Sequence, residues 1–340
     1  MTEKKRNSIY DVAKKAGVSI ATVSRVLNDS NFVKTSTRER ILGIIKELDY
    51  MPNFFARNLV KKTSKTIGLI LPEIVNPIYP EIAKGISDEA FSKKYTVFLC
   101  NTEASVGKEI ELLKDLLEKN VDGIIFIGTE MCKYKGNFKH YLYLHNKNIP
   151  TVFINGMLQD IDIPFVRINE VRAGYLATKH MLKKGLKKIA LLGGSLDFMP
   201  AREKLKGYKK AFREFGMPID EKYIILDNFE IKNGFRNTSK LLEMDERPEG
   251  IITGSDILAI EVIRASVAKG ISVPRDLKVI GFDNISFSAT YSPPITTIAQ
   301  PKYKMGTMAL GMLVKLIEKK ELFQKKVLIE PELVIRDSCP

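Results

Sequence analysis

Cysteine and histidine are both scarce in this 340-residue chain, with three of each. Cys100, Cys132 and Cys339 are odd in number and widely separated, which argues against a disulfide framework and against a zinc cluster. They read as core or surface thiols. His140, His145 and His180 lack the partners that a metal or an activated nucleophile needs, so no chemistry is assigned to them. Long apolar runs are missing too. Nothing approaches the roughly 18 residues of a membrane span, and the charged opening "MTEKKRNS" leads into no apolar core of a secretory signal. The expectation is a cytoplasmic protein with no membrane partner. No His-bearing triad, phosphate loop or metal cluster is found, so no enzyme, no cofactor and no metal site is expected. "LLGGS" at Leu191–Ser195 is glycine-rich, yet it lacks the lysine and the spacing for cradling phosphate; a strand-to-helix turn explains it better.

What the chain does have is length and positive charge. It is too long for one compact core and typical of two or three domains. Its 44% hydrophobic and 28% charged residues are those of an ordinary globular protein. The formal net charge is +14, and residues 1–62 hold thirteen Lys/Arg against six Asp/Glu, a net of +7. Half the excess therefore lies in less than a fifth of the chain, as befits a head that meets a polyanion. A lysine-rich surface accounts for part of the remainder.

From Ser8 the pattern turns helical. Val12, Ala13 and Ala16 share one face, and Gly17 ends the segment where a left-handed residue is cheap. Ser19 can cap a second helix, in which Val23, Val26 and Leu27 form the buried stripe. Ile20, Ala21, Ser24, Arg25 and Asn28 are left on the other side. A third helix begins at "STRE", where Ser36 and Glu39 have capping-box spacing, with Ile41, Ile44, Ile45 and Leu48 facing inward. Two short helices joined by a Gly-containing turn and braced by a third make a helix-turn-helix. Arg25 can offer two N–H groups to the O6 and N7 of a guanine, and Ile20 and Ala21 can touch thymine methyls. Ser19, Thr22, Ser24 and Asn28 suit phosphates, which position without reading sequence. A generic three-helix core with a solvated arginine would show much of the same pattern.

The stretch "IYDVAKKAGVSIATVSRVLN", followed by "TRERI", "LDYMPN" and "ARNL", resembles the DNA-binding head of the lactose-repressor (LacI) family almost continuously from Ile9 to Leu59. The resemblance implies that Ile20, Ala21 and Arg25 read bases. It also implies that Tyr10, Ser19, Thr22, Ser24 and Asn28 hold phosphates, and that Tyr50 braces the fold. "NFFARNLVKKTSK" matches the family's hinge helix. Leu59 takes the place of the leucine that wedges into the minor groove, with Ala56 beside it; a linker leucine docked on the larger domain is the alternative.

Beyond Thr66, continuous apolar runs alternate with amphipathic helices: "KTIGLIL", "YTVFLCN", "DGIIFIG" and "PTVFIN", then a second set beginning near "PFVRIN" and continuing through "KKIALLGG", "YIILD", "EGIITG" and "LKVIGFDN". Such runs indicate parallel sheets covered on both faces, in two doubly wound lobes. The organisation resembles a type I periplasmic binding protein of the sugar-binding kind. The whole is expected to be an all-α helix-turn-helix head (residues 1–52), a hinge helix and linker (53–65), and an α/β two-lobed effector and dimerisation domain (66–340). The first lobe should span about 66–167 and 299–327, and the second about 168–298 and 328–340, with "VLIEPELVIRDS" returning to the second.

A ligand would lie between the lobes, at the strands' carboxyl ends. Asp283, at the end of "VIGFDN", can accept two sugar hydroxyls, as the matching aspartate does in the family; capping the next turn is its alternative. Tyr79, in "NPIY", matches an aromatic against which a ring can pack, or else belongs to the core. Gln300 maps to the same cleft. Two departures stand out. The family's ligand-clamping arginine is Lys204 here, a point charge without the planar fork, with Arg202 placed either to take over or to line the rim. The usual Asn-Asp pair is Ser255-Asp256.

The resemblance implies a dimeric regulator, probing a near-palindromic operator in double-stranded DNA and switched by a sugar-like effector. With no heptad tail after "VIRDSCP", a homodimer is expected rather than a tetramer. The readings weighed beside a sugar-responsive repressor are a catabolite-control regulator using a phosphoprotein corepressor and a cytoplasmic sugar receptor without a DNA site. Relatives of the catabolite-control kind carry an arginine where this chain has Gly311.

Overall fold

The structure, a computed structural model, describes residues 7–27, 32–50, 63–128, 133, 138–158, 161–226 and 231–340. It divides into two units, Met1–Ser64 and Lys65–Pro340. In the first, Ser8 opens α1 (Ile9–Ala16) with a reciprocal cap. The Ser8 hydroxyl accepts from the Asp11 amide at 3.4 Å, and the Asp11 carboxylate accepts from the Ser8 amide at 2.8 Å, which satisfies two orphan amides of the helix start. Gly17 ends the helix at φ 61°, a region open to a residue without Cβ. The chain turns, and the Ser19 hydroxyl accepts from the Thr22 amide at 3.2 Å to start α2 (Ile20–Leu27).

Helix α3 (Thr35–Glu47) closes this small core. Val12, Ala13, Ala16, Val23, Val26 and Ile41 are buried together, and Ile44, Ile45, Leu48 and Tyr50 pack around them. Leu27, expected in the buried stripe, is half-buried at its rim. The expected Ser36–Glu39 capping box does not form. Helix α3 starts one residue earlier, at Thr35, with Lys34 at the cap and no side-chain hydrogen bond there. Ser36 therefore lies inside the first turn, where it cannot cap.

The second unit contains two six-stranded sheets. In one, β1 (Thr66–Leu71), β2 (Thr96–Asn101), β3 (Gly123–Ile127), β4 (Thr151–Ile154), β5 (Phe165–Ile168) and β11 (Lys326–Ile329) lie in the order β11-β5-β4-β3-β1-β2, all parallel. In the other, β6 (Ile189–Gly193), β7 (Ile224–Leu226), β8 (Gly250–Thr253), β9 (Lys278–Asp283), β10 (Thr296–Ala299) and β12 (Glu332–Val334) lie in the order β12-β10-β9-β8-β6-β7. Only β12 runs antiparallel to its neighbour β10. Strands β1, β3, β4, β6 and β8 are buried along their whole length, as apolar runs covered on both faces must be.

Helices α4 (Ile78–Ser92), α5 (Val106–Glu118), α6 (Lys139–Asn146) and α12 (Lys302–Ile317) belong to the first lobe. Helices α7 (Glu170–Lys183), α8 (Met199–Glu214), α9 (Ile231–Leu242), α10 (Asp256–Ala268) and α11 (Ser286–Thr290) belong to the second. Among the described residues no helix is long and apolar enough to cross a membrane.

The lobe limits differ from expectation by a few residues. The strand in "PFVRIN" does not begin the second set: β5 pairs with β4 and β11 in the first sheet. Likewise β11 stays in the first sheet through Ile329, and β10 stays in the second through Ala299. An apolar run announces a strand, but not which sheet it joins. The chain therefore crosses between lobes at Asn169, at Gln300–Pro301 and at Glu330–Pro331, and residues at those crossings stand next to the strand ends that face the cleft.

One backbone contact sets the site's geometry. Helices α7 and α8 press together at Gly174 and Gly207; a Cβ on Gly174 would lie 2.2 Å from the Lys204 carbonyl oxygen, and one on Gly207 2.1 Å from that of Val171. Only glycine permits this approach, which brings the first turn of α7 against the middle of α8.

Candidate functional site

On the small unit, α2 turns Val23 and Val26 inward, so Ile20, Ala21 and Arg25 stand exposed on its opposite side. Arg25 makes no ion pair or hydrogen bond among the described residues, leaving its guanidinium fork available. Thr22 and Ser24 are half-buried beside it, and the Thr22 and Ser19 hydroxyls lie 2.9 Å apart. Tyr10, on α1, is 68% exposed. The arrangement is an exposed row of apolar, hydroxyl and guanidinium groups on a short helix whose other side is fixed by the core. Asn28, Ala56 and Leu59 lie outside the described residues, as does most of the expected hinge segment.

In the large unit, the expected effector residues separate into groups. Asp283 ends β9 with φ 100°, and Asn284 follows at φ 51°. For non-glycine residues this is strained backbone, of the kind found where the surrounding structure holds a site in place. The Asp283 carboxylate accepts from Gln300 Nε2 at 2.7 Å, and Gln300 Oε1 accepts from Asn155 Nδ2 at 3.3 Å, at the end of β4. The Asp283 and Asn284 carbonyls accept from Lys302 Nζ at 2.6 and 2.8 Å, and the same ammonium stands 3.3 Å from Glu81 on α4. Asp283 is thus tied to the first lobe through its side chain and through its backbone. Burial raises its carboxyl pKa, while Lys204 and Gln300 act in the opposite direction.

Lys204 lies on the inward stripe of α8 and is 8% exposed. Its ammonium donates to the Gly254 carbonyl at 3.3 Å, stands 3.5 Å from Glu170 Oε2 and sits 3.8 Å from the centre of the Phe282 ring. These partners come from the carboxyl ends of β5, β8 and β9. Burial pushes the Glu170 carboxyl up to about 7, with Lys204 opposing and Asp283 adding to the rise.

The remaining candidates have other engagements. The Ser255 hydroxyl caps α10, accepting from the Leu258 amide at 3.3 Å. Asp256 is buried and accepts from Thr297 Oγ1 at 2.6 Å and from the Ile285 amide at 2.9 Å; burial pushes it up to about 7. Arg202 is half-buried on α8 and turns Nε toward the Leu196 carbonyl of the loop before that helix. Tyr79 is half-buried against the first lobe's core, with its hydroxyl 3.4 Å from where a Cβ on Gly128 would lie. Gly128, with φ 51°, also lines a cavity of about 30 Å³ between first-lobe loops and Phe198, room for about one water.

Sequence reasoning missed Glu170, Lys302 and Asn155. The signal for Glu170 was indirect: Ala201, Lys204, Tyr208 and Ala211 have inward helical spacing, and an inward lysine demands a counter-charge. His140 also has a partner that the sequence did not reveal, since Nε2 lies 2.7 Å from Glu109 Oε1, to which Tyr141 also donates. A cavity of about 460 Å³ lies on the first lobe among Lys65, Glu89, Lys93, Tyr95, Gly311 and Lys315, away from the cleft residues. Among the described residues no group of three His, Cys, Asp or Glu could hold a metal.

Comparison with known proteins bears on both units. Residues 8–53 match the family of bacterial regulatory proteins, lacI family, and residues 178–339 match the periplasmic binding protein-like domain. The HTH-type transcriptional regulator RegA of Clostridium saccharobutylicum is 39% identical over 333 residues, covering 97% of this chain and 98% of that one. Catabolite control protein A of Priestia megaterium is 37% identical over 332 residues, covering 97% and 98%. The crystal structure of the Lac repressor dimer bound to operator and the anti-inducer ONPF matches with a TM-score of 0.86 at 26% identity, over 98% of this chain and 99% of that one.

Proposed function

The chain belongs to the lacI family of bacterial regulatory proteins, and on that footing we propose that it is a repressor of carbohydrate-use genes, released or recruited by a small sugar-like molecule held between its lobes. That it is a DNA-binding transcription regulator follows from the family. The operator contacts are assigned to Arg25, Ile20 and Ala21 for bases, and to Tyr10, Ser19, Thr22, Ser24 and Asn28 for phosphates. Ala56 and Leu59 are assigned to the minor groove. The observation that carries the reading is Arg25: exposed, without a partner among the described residues, and mounted on a helix whose far side is locked by Val23 and Val26. A cation left in water on so small a unit is free to spend its hydrogen bonds on a base edge.

A twofold dimer reading two half-sites completes the proposal. Its support is β2, an edge strand that leaves Phe98 39% and Leu99 43% exposed, the kind of apolar edge that proteins cover. The effector is assigned to the cleft around Asp283 and Gln300. A ligand that takes the Asp283 carboxylate must compete with Gln300, whose other end holds Asn155 of the first lobe. Ligand occupancy therefore has a physical route to lobe orientation, and a coupling of about 1–3 kcal/mol would change operator affinity several- to a hundredfold.

The catabolite-control alternative has one observation in its favour, the lysine-lined cavity around Gly311, which suits an acidic group. The experiment that separates the two is operator binding by the Asp283→Ala variant. Operator affinity stays at the wild-type level and the response to sugar is lost; an unchanged response removes Asp283 from the effector site.

A further inference from the structure

The departure at Lys204 acquires a meaning once its surroundings are known. A lysine in the wall of a ligand cleft ordinarily offers a positive charge to whatever enters. Here the ammonium is spent. One N–H goes to the Gly254 carbonyl, the charge rests 3.5 Å from Glu170 and the Phe282 ring covers another side at 3.8 Å. Glu170 is 5% exposed, and its Oε2 has no hydrogen-bond partner. Asp283, 6% exposed, contributes the next carboxylate. The other buried ammonium beside Asp283, that of Lys302, is likewise spent, on the Asp283 and Asn284 carbonyls and on Glu81, so the wall holds the carboxylates of Glu170 and Asp283 and no ammonium free to meet a ligand.

We propose that Glu170 fixes the chemical class of the effector: it cancels Lys204 within the wall and stands with Asp283 as a second acceptor, so the site admits neutral or cationic molecules rich in O–H and N–H donors, such as unphosphorylated or amino sugars, and refuses phosphorylated sugars and other anions. The inference rests on the cleft being the effector site. Its physical basis is plain. An entering anion meets like charge with no free donor, a juxtaposition that costs several kcal/mol. An entering hydroxyl or ammonium adds a hydrogen bond to a buried carboxylate oxygen that Lys204 meets only as an ion pair. Substituting lysine for a forked arginine is then part of the selectivity, because one carboxylate can cover a compact ammonium while leaving no second donor edge for a ligand.

The test uses the full chain in two arms at pH 8. In the first, thermal shift is measured with matched sets: glucose, glucosamine and glucose 6-phosphate; ribose and ribose 5-phosphate. In any set that shows binding, the phosphorylated member binds the wild type more than tenfold weaker than its neutral or amino counterpart, consistent with a like-charge penalty of that size. Equal or tighter binding of a phosphorylated member overturns the inference. In the second arm the probe is sulfate, an anion whose charge does not change with pH, at constant ionic strength. Glu170→Gln uncovers Lys204 and gains a saturable sulfate response absent from the wild type, and Glu170→Gln with Lys204→Met loses it again. A Glu170→Gln protein that responds to sulfate no more than the wild type overturns the proposal. If no sugar of any charge binds, the effector reading fails while the sulfate arm still decides the role of Glu170. Should Glu170→Gln not fold, the wild type itself serves: protonating Glu170 at pH 5.5 must produce a saturable sulfate response that is missing at pH 8 and missing from Lys204→Met at both. No such difference overturns the proposal as surely.

Discussion

Arg25 in the small unit and Lys204 in the large one were both candidates for holding a ligand, and their situations are opposite. Arg25 stands in water on the outer side of α2, with no partner among the described residues. Lys204 is buried on the inner side of α8 with a carbonyl, a carboxylate and an aromatic ring around its ammonium. The difference follows from helix face alone. A cation opposite an apolar stripe keeps its charge for an outside partner, whereas one inside the stripe must be neutralised by the fold that buries it. Binding groups are thus better identified by what they lack than by what they are.

Substitutions can break this contrast. The largest effect is expected for Lys204→Ala, which strands Glu170 in the wall. Removing one member of a buried pair costs about 3 kcal/mol or more, so chemical denaturation of the large unit should shift well below the wild type, with operator binding of the folded fraction unchanged. Arg25→Ala should do the reverse: stability within about 0.5 kcal/mol, but a loss of about 1–3 kcal/mol on an operator with preference relaxed at one base pair. If random DNA loses as much as the operator, Arg25 holds only phosphate. Ser8→Ala removes the reciprocal cap of α1 and should cost about 1 kcal/mol, visible in a transition of the small unit and not in that of the large.

The large unit also carries a pH signature. Glu170 and Asp256 are each pushed up to about 7 by burial, from ordinary values of 4.5 and 3.8. A carboxyl raised on folding binds its proton more tightly in the native state, so its contribution is complete below the unfolded value and is lost as pH rises through the folded one. Stability of the large unit should therefore fall between about pH 4.5 and pH 7 on account of these groups and level off above. Glu170→Gln should flatten part of that slope. A slope identical to the wild type would mean that Glu170 is ionised throughout.

The same contrast explains what was legible in the sequence. The small unit was readable almost residue by residue, because Ser8, Gly17 and Ser19 act locally through caps and a left-handed turn, and Val23 and Val26 declare a face by spacing. The start of α3 was misplaced, where two hydroxyl residues, Thr35 and Ser36, adjoin, and Leu27, read into the buried stripe, is half-buried at its rim. In the large unit the strands and Asp283 at a strand end were legible, since apolar runs and strand termini are local features. The sheet that "PFVRIN" joins was not, because that depends on β11, over 150 residues away. Nor was the use of Glu170: an acidic residue in a first helical turn ordinarily complements the helix dipole at the surface, and only the glycine contact between α7 and α8 buries it against Lys204. Ser255, read from the sequence as a cleft candidate, caps α10 instead.

The small basic unit reads DNA sequence on behalf of a ligand-sensing unit in the same chain, and competitive binding of the full-length protein to genomic DNA fragments, with and without sugars, is the decisive measurement. A small set of fragments should be retained against a large excess of bulk competitor, by about 10³-fold or more, with retention altered by at least one sugar. Retention of every fragment equally with its competitor, whatever small molecule is present, would contradict it.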